Sequence, residues 1–154
     1  MFTDRDLHHM AEALKEAREA FDNDETPVGA VIVYKDKVIA KAHNQVELLR
    51  DPTAHAEMIA LTQAADYLDN WRLNGVTLYV TKEPCLMCLG AALNARVLRL
   101  VYGASDDQNR GIRDLIHPGY ESALKQLQIT SGAHADECQA MLQEFFKKVR
   151  EEKP

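Results

Sequence analysis

Cysteine is scarce in this sequence, and long apolar runs are absent from it. Only Cys85, Cys88 and Cys138 occur among 154 residues, and three thiols cannot all pair, so we do not expect a disulfide framework. No stretch approaches the roughly 18 consecutive apolar residues of a membrane span, and the charged segment 1–21 does not resemble a signal peptide. These absences predict a soluble, cytoplasmic protein with no membrane partner.

An excess of basic residues is also missing. The chain carries 18 lysines and arginines against 24 acidic residues, a net charge of -6, whereas a protein that binds phosphates normally has a basic footprint. The acidic excess is concentrated in residues 1–25, which hold eight acidic and three basic residues, while residues 26–154 hold 16 and 15. A local cationic patch is therefore still compatible with the sequence, and the run "FFKKVR" at residues 145–150 is one candidate.

Length and hydrophobic periodicity predict one α/β domain. With 46% hydrophobic residues, residues 1–154 fit a single globular domain. Leu7, Leu14 and Phe21 recur at helical spacing, two β-branched runs flank a turn at 35–37, and helical and strand patterns then alternate up to a last helix at about 135–151. Strand, helix and strand in succession imply right-handed parallel crossovers. We therefore expect a mixed sheet of about five strands, covered by helices on both faces.

Two of the three cysteines open a predicted helix. Pro84 precedes Cys85, as proline does at a helix start, so Cys85 and Cys88 lie one turn apart on one side of that helix. The positive end of the helix dipole favours thiolates there, and thiolates bind zinc. A structural zinc site needs four protein ligands, and no second pair at suitable spacing exists. The two cysteines indicate either part of a metal site or a redox pair.

His55 is the histidine whose context matches this pair. It opens a helix in "DPTAHAEMIAL" and stands 30 residues before Cys85, about one helix plus one strand. In a doubly wound sheet that spacing returns the chain to the same edge, at the carboxyl ends of neighbouring strands, where such sheets keep their active sites. His55, Cys85 and Cys88 would then be three ligands with one open position, which is the pattern of a catalytic zinc.

Glu57 follows His55 by two residues and need not bind the metal, so it is free to move protons. The combination of H-x-E with P-C-x-x-C is the signature of zinc deaminases. It favours the zinc site over the redox pair, which requires neither His55 nor Glu57. Cys138 falls on the apolar stripe of the last helix, and we expect it to be a buried core thiol.

Five stretches resemble one known family. "TPVGAVIV", "DPTAHAE", "TLYVTKEPCLMC", "VYGA" and "GAHADEC" are similar to the tRNA-specific adenosine deaminases of the cytidine deaminase superfamily, and the resemblance extends over about residues 7–150. It implies a three-layer α/β/α cytidine deaminase-like fold, a homodimer, and hydrolysis of adenosine to inosine at the wobble position of a tRNA anticodon. It also implies one zinc ion per chain, held by His55, Cys85 and Cys88, with Glu57 as proton shuttle.

The same comparison leads us to expect substrate contacts from Asn44, Ala56, Lys82, Pro84 and Asp106. Asn44 matches an asparagine that hydrogen-bonds the base, and Asp106 fits an acidic position of the family. Lys82 stands where the family is more often apolar, and Gln108 stands where it usually has a lysine. The stretch at about 120–130 lacks the family's Asn-His pair. These departures concern the substrate rather than the deamination chemistry.

Three functions are therefore compatible with the sequence. The leading one is a zinc-dependent deaminase that acts on the anticodon loop of tRNA. The second is a deaminase of a free nucleobase or nucleoside, such as guanine or cytosine, for which an acidic chain is unremarkable. The third is a non-catalytic RNA-binding subunit that keeps the zinc fold. Such a subunit would be expected to lose its proton shuttle, and Glu57 is present.

Overall fold

The computed structural model describes residues 1–106, 108, 112, 119 and 121–153. Within those residues, none of the helices is both long and apolar enough to cross a bilayer. The helices and strands follow one another as α1 (Asp4–Asp22), β1 (Gly29–Tyr34), β2 (Lys37–His43), α2 (Val46–Leu49), α3 (Ala56–Leu68), β3 (Thr77–Lys82), α4 (Leu86–Asn94), β4 (Arg99–Ala104), α5 (Glu121–Leu124), β5 (Gln128–Ser131) and α6 (Ala135–Glu152).

The five strands form one mixed sheet in the order β2-β1-β3-β4-β5. β1 is antiparallel to β2 and β3, while β3, β4 and β5 run parallel. The predicted hairpin is present, and its turn residues Lys35 and Asp36 both have positive φ, 48° and 63°, as a tight hairpin turn requires. We expected His55 and Cys85 to follow two neighbouring strands of the sheet. This expectation was wrong, because β1 lies between β2, which precedes His55, and β3, which precedes Cys85.

Helices cover both faces, which confirms the three-layer α/β/α fold. α1 and α6 pack on one face, and α3, with α4 beside it, packs on the other. The central strands are buried from both sides, so Leu78, Val80, Leu100 and Val101 are at most 1% exposed. Gly29 permits close packing of α1, because a Cβ at this position would collide with the Ala13 carbonyl oxygen.

A buried ion pair fixes α1 to the sheet at the end opposite the cysteines. Asp6 is 1% exposed. Its carboxylate accepts two hydrogen bonds from Arg99, at 2.6 and 2.8 Å, and one from the Tyr79 hydroxyl at 2.9 Å. The Arg99 guanidinium is the main reason that the pKa of Asp6 lies well below its usual range.

Arg99→Met is expected to lower the free energy of unfolding by about 3–5 kcal/mol, because it leaves the Asp6 carboxylate buried without its counter-ion. Arg5→Met is the matched control, since the Arg5–Asp36 pair is 77% and 76% exposed and contributes about 1 kcal/mol or less. Urea unfolding near pH 7 measures both values, and equal losses would contradict the assignment. Asp6 has a lowered pKa in the folded state, so its contribution is present above pH ~4 and is lost as the pH falls below that value.

Candidate active site

Two helix starts bring the three predicted ligands together. His55 is the N-cap of α3, Cys85 is the N-cap of α4, and Cys88 lies in the first turn of α4. The Nδ1 atom of His55 lies 3.6 Å from the Cys85 sulfur and 3.4 Å from the Cys88 sulfur. One ligand atom from each residue lies within 4.8 Å of the others. The structure therefore positions this group to bind a metal.

The geometry of these donors fits a zinc ion. Tetrahedral bonds of about 2.3 Å to sulfur and 2.0–2.1 Å to nitrogen place a histidine nitrogen about 3.6 Å from a cysteine sulfur. The two observed separations agree with that distance. Among the described His, Cys, Asp and Glu residues, the group has three members. A three-ligand site leaves a position open for water or substrate.

The two thiols differ in their readiness to ionise. Hydrogen bonds from Cys88 and then His55 lower the pKa of Cys85 to about 3. The hydrogen bond with Cys85, together with burial, raises the pKa of Cys88, and the contact with Cys85 raises the pKa of His55. One thiolate is thus favoured at neutral pH even before a metal binds. Cys138 lies apart in α6, 1% exposed, and burial raises its pKa to about 12.

Glu57 lies in the first turn of α3 and is 3% exposed. Its Oε1 atom is buried and has no hydrogen-bond partner among the described residues, a condition it shares only with Nδ1 of His9. Burial raises the pKa of Glu57, against weaker opposing hydrogen bonds from the backbone and Cys88. An unpartnered buried carboxylate costs stability, and such groups are concentrated at functional sites.

His55, Cys85 and Glu57 line a cavity of about 520 Å³. Its walls are formed by the turn before β1, the chain after β2, the end of β3 and the last turns of α6. Among the described residues of its lining, Lys82 is the one cation. The carboxylates around it are Asp24, Glu25, Glu47, Glu57 and Glu83.

Asn44 lies at the wall of this cavity, 8% exposed, directly after β2. Its Oδ1 atom accepts a hydrogen bond of 2.8 Å from the backbone N–H of Ala56. The oxygen of Asn44 therefore holds the start of α3, and its amide nitrogen is the group left to a ligand. The Ala56 N–H is occupied by this contact.

The other residues that were predicted to contact the substrate do not all line the cavity. Lys82 lines the cavity and forms an ion pair with Asp106, whose Oδ2 atom lies 3.5 Å from the lysine Nζ. Asp106 itself lines a neighbouring groove. Ala56 and Pro84 are buried beside the ligands and do not line the cavity. The positions around Gln108 that depart from the family are mostly outside the described residues.

Two buried carboxylates at this site were not predicted. Glu25 is 2% exposed and accepts hydrogen bonds from the backbone N–H groups of Glu47 and Leu48 in α2. Glu83 is 5% exposed and accepts from the backbone N–H groups of Asp106 and Ile112. Each carboxylate fixes a distant segment that borders the site. The one local sign of this role is the closeness of each glutamate to a proline, Pro27 or Pro84.

Comparison with known proteins agrees with this geometry. The sequence matches the model of the MafB19-like deaminase family over residues 4–150. It is 41% identical to the tRNA-specific adenosine deaminase of Bacillus subtilis (strain 168), over 97% of this chain and 93% of that protein. It is 42% identical to the enzyme of the same name from Aquifex aeolicus (strain VF5), over 90% of this chain and 91% of that protein.

Solved structures give the same result. A structure from work on A-to-I editing by tRNA:A34 deaminases superposes with a TM-score of 0.80 at 40% identity, covering 88% of this chain and 99% of that one. A guanine deaminase from Nitrosomonas europaea has a TM-score of 0.77 at 25% identity, covering 90% of this chain and 83% of that one. The chain therefore belongs to the MafB19-like deaminase family and to the tRNA-specific adenosine deaminases.

Proposed function

We propose that this chain is a zinc-dependent hydrolytic deaminase that converts adenosine to inosine at the wobble position of a tRNA anticodon, with residues 1–154 acting as one domain. The observation that carries the proposal is the grouping of His55, Cys85 and Cys88 at a cavity lined by His55, Cys85 and Glu57, where the Oε1 atom of the Glu57 carboxylate has no partner among the described residues. The similarity to tRNA-specific adenosine deaminases over nearly the whole chain supports the choice of substrate.

The proposed chemistry divides the work between the metal and Glu57. His55, Cys85 and Cys88 would hold a zinc ion, which would supply the Lewis acidity that lowers the pKa of water from 15.7 to about 7. Glu57 would accept one proton from the attacking water and pass it to the ring nitrogen. It would then accept the second proton of that water, now a hydroxyl group on the ring carbon, and pass it to the departing amino group. Adenosine and water become inosine and ammonia. A carboxylate with an unpartnered oxygen is suited to this role, because no other hydrogen bond has to be broken first.

The substrate contacts remain part of the proposal. The Asn44 amide nitrogen would donate to the base, and Lys82 and Asp106, which line the cavity and the neighbouring groove, would contact the neighbouring nucleotides of an RNA. Ala56 and Pro84 would act by positioning the metal ligands, since both are buried next to them.

We also propose a homodimer. It is supported by exposed leucines on α2 and at the start of α4, which are Leu48 (74%), Leu49 (54%) and Leu86 (59%). Light scattering of the purified protein tests it.

Product formation across a substrate panel tests the function. We expect inosine and ammonia from an anticodon stem-loop with adenosine at the wobble position, and at least 10²-fold lower kcat/KM on free adenosine, because remote contacts supply binding energy that a nucleoside lacks. Guanine and cytosine serve as free-base controls. The guanine deaminase neighbour makes a small-base activity the second candidate. Faster turnover of a free base than of the stem-loop would select that candidate, and no product from any substrate would select the non-catalytic subunit.

A further inference from the structure

A small polar cavity lies at the opposite end of the sheet from the candidate active site. This space, called the distal cavity below, has a volume of about 290 Å³ and is bounded by the start of α1, the turn between β1 and β2, and the starts of β3 and β4. Thr77 at the start of β3 lines the distal cavity, and Lys82 at the end of β3 lines the active-site cavity. The two residues are about 16 Å apart at 3.3 Å per residue of strand, so the cavities are separate.

His9 is the residue of the distal cavity that the fold does not explain. It lines the cavity, is 9% exposed, and has a buried Nδ1 atom without a hydrogen-bond partner among the described residues. Its ring packs against His8 and Tyr79, with centroid separations of 5.3 and 5.1 Å. An unpartnered buried polar atom costs stability and indicates a functional role or a bound group. Within the described ranges, the other atom of this kind belongs to Glu57 of the active site.

Two ion pairs neutralise the carboxylates that line the distal cavity. Asp6 accepts two hydrogen bonds from Arg99, at 2.6 and 2.8 Å. Asp36 accepts one hydrogen bond of 2.9 Å from the Nη1 atom of Arg5. A guanidinium group has five N–H donors, so this contact leaves other donors of Arg5 available to a ligand.

Lys35 adds a positive charge that no carboxylate of the described chain neutralises. Its side chain is exposed at the hairpin turn, and its Nζ atom lies 5.2 Å from the centroid of the Tyr34 ring without forming an ion pair. The lining of the distal cavity thus has three cations and two carboxylates, although the whole chain carries a net charge of -6. α1 also begins at this cavity, and the positive end of its dipole favours an anion.

We propose that the distal cavity binds a small phosphate-type anion, and that His9 takes up a proton when the anion binds. Lys35 and the remaining donors of Arg5 would contact the anion oxygens. The anion would also supply the hydrogen-bond partner that the His9 ring lacks, because both nitrogens of a protonated ring are donors. Inorganic phosphate and the terminal phosphate of an ester present the same oxygens, so either could supply the anion.

The surroundings of His9 determine the sign of the pH dependence. Burial, followed by the neighbouring His8, lowers the pKa of His9, whereas nearby carboxylates oppose this shift. The charged and titratable groups around His9 are Arg5, Asp6, His8 and Glu12 on α1, Lys35 and Asp36 in the turn, Tyr79 on β3 and Arg99 on β4. A bound anion favours the protonated ring and raises the pKa of His9. Anion affinity should therefore increase as the pH falls from the higher to the lower of these two pKa values.

Matched lysine variants test the binding site, with inorganic phosphate as the probe. Lys35→Gln removes one positive charge from the distal cavity. Lys37→Gln removes the same charge two residues away, where the lysine hydrogen-bonds Tyr67 and does not line the cavity. In the zinc-loaded protein at constant ionic strength, we expect the NMR signals of the His9 ring to shift with a Kd of about 1 mM or tighter. Lys35→Gln should raise this Kd by about tenfold, the usual effect of losing one charged hydrogen bond, and Lys37→Gln should leave it unchanged.

A pH series tests the uptake of a proton by His9. Sulfate replaces phosphate here, because it remains a dianion across the series. Its affinity should increase as the pH falls for the wild type and for the control His8→Gln, and should be lower and independent of pH for His9→Gln. An increase that persists in His9→Gln would overturn the proton uptake.

Ribose 5-phosphate distinguishes the two sources of the anion. A saturable His9 shift with both ligands means that the phosphate of an ester can enter, and a shift with phosphate alone means that the cavity takes the free ion. Both results support the proposal. Shifts confined to His55 would place phosphate at the metal site and reject the distal cavity, as would equal Kd values for Lys35→Gln and Lys37→Gln. A lower Tm in Lys35→Gln with an unchanged Kd would show a purely structural role and would also reject it.

Discussion

Glu57→Gln is expected to reduce turnover by a factor of about 10² to 10⁴ while the protein keeps its fold and its metal. That range is the usual contribution of general acid-base catalysis. Glutamine has nearly the same shape as glutamate but cannot accept and return a proton. Steady-state inosine formation gives the rate, and elemental analysis gives the metal content. Because the Glu57 carboxylate is buried with an unpartnered oxygen, the neutral side chain should leave Tm equal to that of the wild type or higher.

This combination of results separates proton transfer from metal binding. Loss of the metal in Glu57→Gln would mean that the carboxylate is a ligand, contrary to the three-member group formed by the histidine and the cysteines. Near-normal turnover would mean that another group carries the proton. Glu25→Gln is a matched control for a buried carboxylate of the same cavity that hydrogen-bonds only to backbone. It should lower stability and leave the chemistry step much less affected.

Cys85→Ser and Cys88→Ser are each expected to lose the bound zinc and, with it, deamination down to background. A serine hydroxyl does not ionise at neutral pH, so one strong ligand disappears from a site with three. Metal analysis of the purified variants should show well under one zinc per chain, against one in the wild type. Chelation of the wild type should give the same loss, and added zinc should restore its activity.

Cys138→Ser provides the control for these two variants. Cys138 is buried in α6 next to Gly103, where a Cβ would lie 2.5 Å from its sulfur. The substitution should therefore cost stability by placing a hydroxyl in an apolar position, yet the zinc content should stay at one per chain. Zinc depletion in Cys138→Ser would overturn the assignment of the three ligands.

The sequence was sufficient to predict that His55, Cys85 and Cys88 lie together, because each of these residues is tied to a helix start. His55 and Cys85 stand at N-caps, and helix starts leave strong local marks such as Pro84 before Cys85. The order of the strands in the sheet was harder to predict from the sequence. Whether β1 lies between β2 and β3 depends on long-range pairing rather than on any local pattern. β5 could not be located in advance, because Gln128–Ser131 is largely exposed and shows no apolar alternation.

The roles of the buried carboxylates Glu25 and Glu83 could not be predicted from the sequence, for a different reason. Glu25 and Glu83 accept hydrogen bonds from backbone groups 22 to 29 residues away, and a backbone donor has no identity in the sequence. The basic run at 145–150 is divided on α6 for a similar reason, because Lys148 pairs with Asp24 whereas Arg150 lines a groove beside the active-site cavity. Lys148 and Arg150 are two residues apart, which on a helix turns their side chains to different sides. Only the packing of α6 decides which of them borders a cavity.

Only the NH₂ group of the Asn44 amide is available to a ligand in the cavity, and this limits which bases Asn44 could distinguish. Because the Ala56 N–H can only donate, the atom opposite it must be the Asn44 oxygen, so the NH₂ group faces any ligand alone. A single hydrogen-bond donor can pair with any available acceptor, and adenine and guanine both carry ring nitrogens that accept hydrogen bonds. As the substrate contact that we propose, Asn44 would therefore be an anchor tolerant of base identity. A chain of this fold could exchange one purine for another during evolution without altering Asn44, by changes elsewhere in the cavity wall.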